Sequence, residues 1–195
     1  RVYQHLVKVA KDLIYGQNWA PQEIEFTFQG DHEDNVFILQ SRDMSPRVRR
    51  RYPVFRSTES LHNEYVGSGI GVSGGALSGL VAFDLESISQ LRREHADKAV
   101  ILLRSDTVPD DIREISIADG ILTGKGGATS HAAIVAHRLG KTCVVGFSKM
   151  RLWEVDKKCT IDGHVIHTGD TIGIDGRSGA VYIGAHEIEH VEIVN

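Results

Sequence analysis

The sequence predicts an α/β protein with a β-rich finish, preceded by a smaller helix-and-hairpin piece, and three observations carry that expectation. Between residues 76 and 145, apolar runs of strand length alternate with helical patterns. From Cys159 onward the helical pattern stops, and short strand-like runs follow one another between turn glycines. Ahead of both, residues 1–45 hold one helical pattern and two strand patterns of their own.

In chain order, Val2, Leu6, Val9, Leu13 and Ile14 recur at three- and four-residue steps and lie on one helical face, which Gly16 and Asn18 bring to an end. Ile24–Phe28 and Val36–Gln40 are strand-like runs joined by the polar stretch Gly30–Asn35, the pattern of a hairpin. One helix and one hairpin bury little core, so residues 1–45 read as the end of a domain. Residues 46–66 are expected to be a linker, because the stretch from Ser45 to Thr58 carries Pro46, Pro53 and five arginines without a sustained period. The main domain is assigned to 67–185. It opens with a glycine-rich lead-in, then a strand over Ala76–Phe83, a helix over Leu85–His95 and a strand over Ala99–Leu103. A proline-started helix is expected over Pro109–Ile115, a buried strand over Gly120–Thr123, a helix over Ser130–Leu139 closed by Gly140, and a strand over Thr142–Val145. Cys159–Ile161, Val165–His167, Thr171–Ile174 and Ala180–Ile183 complete it, and 186–195 reads as a tail or as a linker to a further domain.

Composition bounds the function. The 195 residues are 41% hydrophobic and 25% charged, the make-up of an ordinary globular protein. A net charge of −4 and a pI near 6.2 argue against nucleic acid or an anionic membrane as the main partner. No apolar run approaches a membrane span and no signal-peptide pattern opens the chain, so a cytoplasmic protein is expected. Cys143 and Cys159 are the only cysteines and are expected to stay reduced. The opening at Arg1, without methionine, reads as a segment of something longer.

The chemistry concentrates at His131. Gly126, Gly127, Thr129 and Ser130 lie between the strand ending near Thr123 and the helix that follows, which sets His131 in the first turn of that helix. The first N–H groups of a helix lack internal partners and carry partial positive charge, so that end suits a phosphoryl group. The paired glycines let backbone approach closely, and Thr129 or Ser130 can cap the helix. A neutral imidazole can attack phosphorus without a separate base.

The run Gly126-Gly127-Ala128-Thr129-Ser130-His131-Ala132-Ala133-Ile134-Val135-Ala136, with Leu139-Gly140-Lys141 and Val144-Val145-Gly146, resembles the phosphohistidine signature of the phosphoenolpyruvate-utilising enzymes. The likeness extends through Arg104-Ser105-Asp106-Thr107-Val108-Pro109-Asp110-Asp111, Gly120–Thr123, Gly169-Asp170 and Gly179–Gly184, most of residues 67–185. It implies a swivelling β/β/α domain that carries phosphate between two distant sites, with Arg104 and Thr107 flanking the phosphorylated His131. Glu23–Phe28 and Ile38–Arg42 resemble the last strands of the ATP-grasp domain of dikinases. That likeness gives Glu25 and Gln40 to ATP and Mg²⁺, and Arg42 to phosphate. Enzyme I of the sugar phosphotransferase system has a similar histidine motif without such a segment before it, so the order favours a pyruvate, phosphate dikinase. ATP, phosphate and pyruvate or phosphoenolpyruvate are the implied partners, a homodimer is implied for the whole enzyme, and the isolated segment is expected not to turn over. Pyruvate, water dikinase, whose motif often has cysteine where Ser130 stands, and glucan dikinase are sister readings.

Other signals point elsewhere. Gly69–Gly74 spells the dinucleotide fingerprint without a preceding strand or a following helix. His186-Glu187-Ile188-Glu189-His190 spells a zinc-protease motif next to the terminus, without an apolar helical face. Arg47, Arg49, Arg50, Arg51 and Arg56 read as a solvated linker. His131 and His137 lie six apart and are not a helical metal pair. From other classes, an anion-binding module without catalysis and a zinc hydrolase built on His186 and His190 remain as rivals.

Overall fold

The computed structural model describes residues 2–17, 22–30, 35–43, 49–107, 111–153 and 155–194. The chain divides into two compact units, Arg1–Arg49 with Val194–Asn195, and Arg50–Ile193.

In the first unit, helix α1 (Val2–Lys11) runs into a π-helical turn over Asp12–Gly16, close to the helix that the apolar spacing predicts. Strands β1 (Gln22–Phe28) and β2 (Val36–Asp43) pair antiparallel, with Glu25 opposite Gln40, Glu23 opposite Arg42, and a bulge between Glu25 and Phe26. The expected hairpin is present, and its connection at 31–34 lies outside the described residues, as do Asn18, residues 44–45 and the beginning of the expected linker at 46–48. Phe26, Phe28, Phe37, Ile38 and Leu39 are all exposed on this ribbon. Its apolar side chains therefore contribute little core within the unit, as a lone hairpin must.

The second unit begins with a difference from the sequence reading. Where a linker is predicted over 46–66, the described residues hold strand β3 (Arg49–Phe55), helix α2 (Glu59–Asn63, capped by the Thr58 hydroxyl) and the start of strand β4 (Tyr65–Ser68). The predicted tail at 186–195 likewise holds strand β15 (Ile188–Val194), which pairs with β3. Arg51 meets Glu192 at 3.4 Å and Arg56 meets Glu187 at 3.0 Å along this ribbon. A two-stranded ribbon can take charged residues on both faces and a proline such as Pro53, so neither segment shows the alternation that marks a half-buried strand.

The rest follows the predicted order: β5 (Ile70–Ser73), β6 (Ala76–Ala82), α3 (Leu85–Glu94), β7 (Ala99–Arg104), α4 (Ile112–Ile117), β8 (Gly120–Thr123), α5 (His131–Arg138), β9 (Thr142–Val145), β10 (Met150–Trp153), β11 (Lys158–Ile161), β12 (His164–His167), β13 (Thr171–Asp175) and β14 (Ala180–Ile183). Residues 108–110, including the Pro109 expected to start α4, lie outside the described residues. Strand β4 ends at Ser68, directly before Gly69, where no strand was expected, but β5 and β6 follow in place of a helix, so the Gly69–Gly74 run lacks the strand-to-helix turn that a dinucleotide needs.

Eight strands form one sheet in the order β4-β14-β13-β6-β7-β8-β9-β5, and β10-β11-β12 form a smaller antiparallel one. Strands β6 to β9 are parallel to one another, and β13 and β5 flank them antiparallel. Alternation along β7 shows the layering. Val100 and Leu102 pack with Ile88, Leu91, Ile115, Ala132, Ala133 and Ala136 on the helical side. Ile101 and Leu103 pack with Met150, Cys159, Ile161 and Ile166 on the side of the small sheet. These four β7 side chains are completely buried, and each contributes on the order of 1.5–3 kcal/mol of apolar transfer. The result is three layers, sheet on sheet on helices, the β/β/α arrangement that the resemblance implies. Among the described residues no helix is long and apolar enough to cross a membrane.

Candidate functional site

Ligands of parallel sheets sit beyond the carboxyl ends of the strands, and here those ends are Arg104 of β7 and Thr123 of β8, paired in register. The loop after β8 is tied down by backbone bonds from Gly124 N to Arg104 O (3.0 Å) and from Lys125 N to Ser105 O (2.9 Å). The Thr123 hydroxyl donates to Lys125 O at 2.6 Å. Gly126 has φ +102, and a Cβ there would lie 3.1 Å from the Ser130 side chain, so both conformation and space call for glycine. Gly127 differs, since a Cβ on it would meet nothing within 4 Å. The sequence reading gave both glycines the same close-approach role; only Gly126 is crowded, and Gly127 has an open side.

Helix α5 begins where predicted. Ser130, in extended conformation, caps it by accepting from Ala133 N at 3.4 Å. The Thr107 hydroxyl reaches across and accepts from Ala132 N at 3.1 Å, which brings Thr107 against the residue that follows His131. Two of the helix's opening amides are thus taken by side-chain hydroxyls, one by the expected Ser130 cap and one by Thr107, a contact the sequence reading did not foresee. Each hydroxyl keeps its own proton to donate, so the helix end offers Thr107 and Ser130 O–H groups alongside backbone N–H groups. Thr129 is exposed beside them. His131 itself is half-buried, and its Nε2 is shielded from solvent with no hydrogen-bond partner among the protein atoms.

Arg104 lies on the helical side of β7, in line with Val100 and Leu102. Its Nη2 pairs with Glu114 Oε2 and stands 3.5 Å from Asp111 Oδ1, and its Nε is buried without a partner. Sequence reasoning found Arg104 and missed Glu114. The available signal was its spacing, one helical turn after Asp111, the residue that precedes this short helix.

In the other unit, Glu25, Gln40 and Arg42 share one face of the β1-β2 ribbon, because cross-strand partners and alternate residues lie on the same side. Sequence reasoning missed the fourth member of that face, Glu23, whose Oε2 accepts from Arg42 Nε at 2.9 Å. The hydrogen bond and the charge of Arg42 hold the Glu23 carboxyl below its ordinary range, and the reverse contacts raise Arg42. Both side chains are more than half exposed, so water screens the pair.

The zinc reading does not survive. His186 precedes a strand instead of lying on a helix, and an extended chain sets it about 13 Å from His190. The His186 side chain is 3% exposed, with Nε2 at 2.8 Å from Ile183 O and 3.0 Å from Glu64 Oε2. Its ring packs against Phe55 and Tyr182. Among the described residues no three histidine, cysteine or acidic side chains gather as a metal site.

Residues 96–179, which span β7 through β13 and contain the whole His131 site, match the family model of the PEP-utilising enzyme mobile domain. Over these residues the chain carries the mobile domain of that family. Pyruvate, phosphate dikinase 1, chloroplastic, of Zea mays is 37% identical over 184 residues, 94% of this chain and 18% of the relative. Pyruvate, phosphate dikinase of Clostridium symbiosum is 36% identical over 161 residues, 83% of this chain and 18% of the relative. That of Rickettsia felis is 41% identical over 119 residues, 61% of this chain and 13% of the relative. The chain therefore spans less than a fifth of the length of these relatives. Its mobile domain sits in a sheet that extends beyond the matched residues, since β4, β5, β6 and β14 all complete it.

Proposed function

We propose that His131 is a phosphoryl carrier in a dikinase of the pyruvate, phosphate type. The observation that carries this reading is its Nε2, buried without a partner at the start of a helix behind a glycine loop, where the hydroxyls of Thr107 and Ser130 hold the next two amides. A buried ring nitrogen left without a partner is costly to keep, and a bond to phosphorus satisfies it. The ring would attack the β-phosphorus of ATP, breaking the bond to the α-phosphoryl oxygen and releasing AMP. Inorganic phosphate would then take the terminal phosphoryl group and leave as pyrophosphate. Pyruvate would give up a methyl proton to a base outside this segment, and the phosphoryl group left on His131 would pass to the resulting enolate oxygen, giving phosphoenolpyruvate and regenerating the ring. The protein's part in each transfer is positioning and charge stabilisation. Thr107, Ser130 and the Gly126-Gly127 backbone are suited to hold the phosphoryl oxygens, with Arg104 flanking them.

On the hairpin, Glu25 and Gln40 are proposed to hold the nucleotide's Mg²⁺. A carboxylate and an amide oxygen opposite each other on one face fit that ion, whose remaining positions phosphate oxygens and water would fill. Mg²⁺ would supply charge neutralisation on the phosphates. Arg42 would have to exchange Glu23 for phosphate to act there. The printed names of the relatives support phosphate as co-substrate over water. By itself this segment is expected to make no phosphoenolpyruvate.

The test is ATP labelled at the β-phosphate, given to the full-length protein. Acid-labile, base-stable label is expected on the protein and absent from His131→Ala. No label, or label that survives the substitution, ends the proposal.

A further inference from the structure

Arg104 is a cation drawn into the fold, with a side chain only 14% exposed. A guanidinium is costly to bury unless counter-charges accompany it, and here two carboxylates meet its Nη2. Glu114 does more than neutralise. Its second oxygen accepts from Leu85 N at 3.3 Å, the first amide of α3, and its side chain is 16% exposed. One carboxylate thus joins the end of β7, the start of α3 and the body of α4. The guanidinium is held by a terminal nitrogen, while its Nε–H stays buried and unpartnered, as His131 Nε2 does.

Both unpartnered groups belong to the same edge of the sheet. Backbone bonds tie Arg104 and Ser105 to the loop before His131, the Thr107 hydroxyl reaches Ala132 N, and α4 packs on α5. A phosphoryl group on His131 would occupy Nε2 through its N–P bond and could accept Arg104 Nε–H through an oxygen. The net charge of Arg104, Asp111 and Glu114 together is −1 when all are ionised, so the arginine cannot act there as bare positive charge. Its contribution is a donor held in direction.

We propose that Glu114 is a positioning residue of the phosphohistidine site, holding Arg104 by Nη2 so that its Nε edge meets the phosphoryl group on His131. The inference rests on the phosphocarrier reading and assigns a residue outside the family's motif.

Phosphoramidate tests it, because this small donor reaches a histidine without any second active site. The ring forms an N–P bond, the donor's P–N bond breaks, and ammonia leaves with a proton. Phosphohistidine formation would be followed in the full-length protein for wild type, Glu114→Gln, Glu114→Ala, Glu114→Asp, Arg104→Ala and the Arg104→Ala/Glu114→Ala pair. Loss of Glu114 is expected to slow saturated uptake by about tenfold with little change in half-saturation, and aspartate to recover part of it. On the Arg104→Ala background the second substitution is expected to change nothing further, which a role in folding alone would not produce. Uptake by the isosteric Glu114→Gln at the wild-type rate, or an additive loss in the pair, overturns the proposal. A cycle that holds with phosphoramidate while ATP leaves His131 unlabelled fails the carrier reading alone. No uptake at His131 from phosphoramidate in wild type fails both.

Discussion

The two units treat the residues assigned to chemistry in opposite ways. In Arg50–Ile193 the edge that carries the candidate site rests on side chains with no exposure at all, Leu102, Leu122, Ala132 and Ala133 among them. Thr107 is tied to the start of α5 through Ala132 N, next to His131, and Arg104 is held by Glu114 of α4. In Arg1–Arg49, Glu25, Gln40 and Arg42 stand on an exposed ribbon whose aromatic residues are also exposed. The contrast teaches that alignment on one face, which both units achieve, is cheap. Holding a side chain in one direction needs a packed layer beneath it.

Four measurements would break or sharpen this contrast. Leu102→Ala, in the middle of β7, is expected to cost about 2–5 kcal/mol in chemical denaturation. Phe37→Ala, on a side chain 51% exposed in the hairpin, should stay within about 0.5 kcal/mol. Equal costs would show that the hairpin is packed as firmly as the main sheet. Thiol reactivity reports the same core. Burial pushes Cys143 from its ordinary 9.0 up to about 12, and burial together with the charge of Asp170 does the same for Cys159. Neither thiol should react with an aromatic disulfide reagent at pH 8 until the protein unfolds. Because the folded values are raised, this contribution to stability is complete below pH 9.0 and is lost as pH climbs toward about 12. Rapid labelling of the native protein would contradict the buried layers.

Gly126→Ala is expected to destabilise by about 1–2 kcal/mol through its left-handed backbone, and Gly127→Ala by less. Thermal melting of the two variants separates them, and equal shifts would remove the distinction drawn at the loop. Least of all, Arg42→Ala should leave the melting temperature of this chain unchanged, since its partner Glu23 is open to water. A clear drop would mean that the ribbon is held more rigidly than its exposure implies.

Much of this was legible from local pattern. The strands β6 to β9 and the helices between them announced themselves by period, and the start of α5 by two glycines, a serine and the apolar residues after it. What escaped was pairing between distant segments. β3 and β15 are charged and separated by more than a hundred residues, and neither shows a period until the other lies beside it.

The sequence by itself determined the nucleophile candidate and its helix-start setting, because the loop, the cap and the helix period all fall within a dozen residues of His131. Only the tertiary structure decided which groups support it. Thr107 reaches Ala132 across 25 positions, and Glu114 takes hold of Arg104 while accepting from Leu85, 29 positions back. Such contacts depend on where the sheet brings the strand ends, and that is set by the burial of both its faces at once, a property of no single segment.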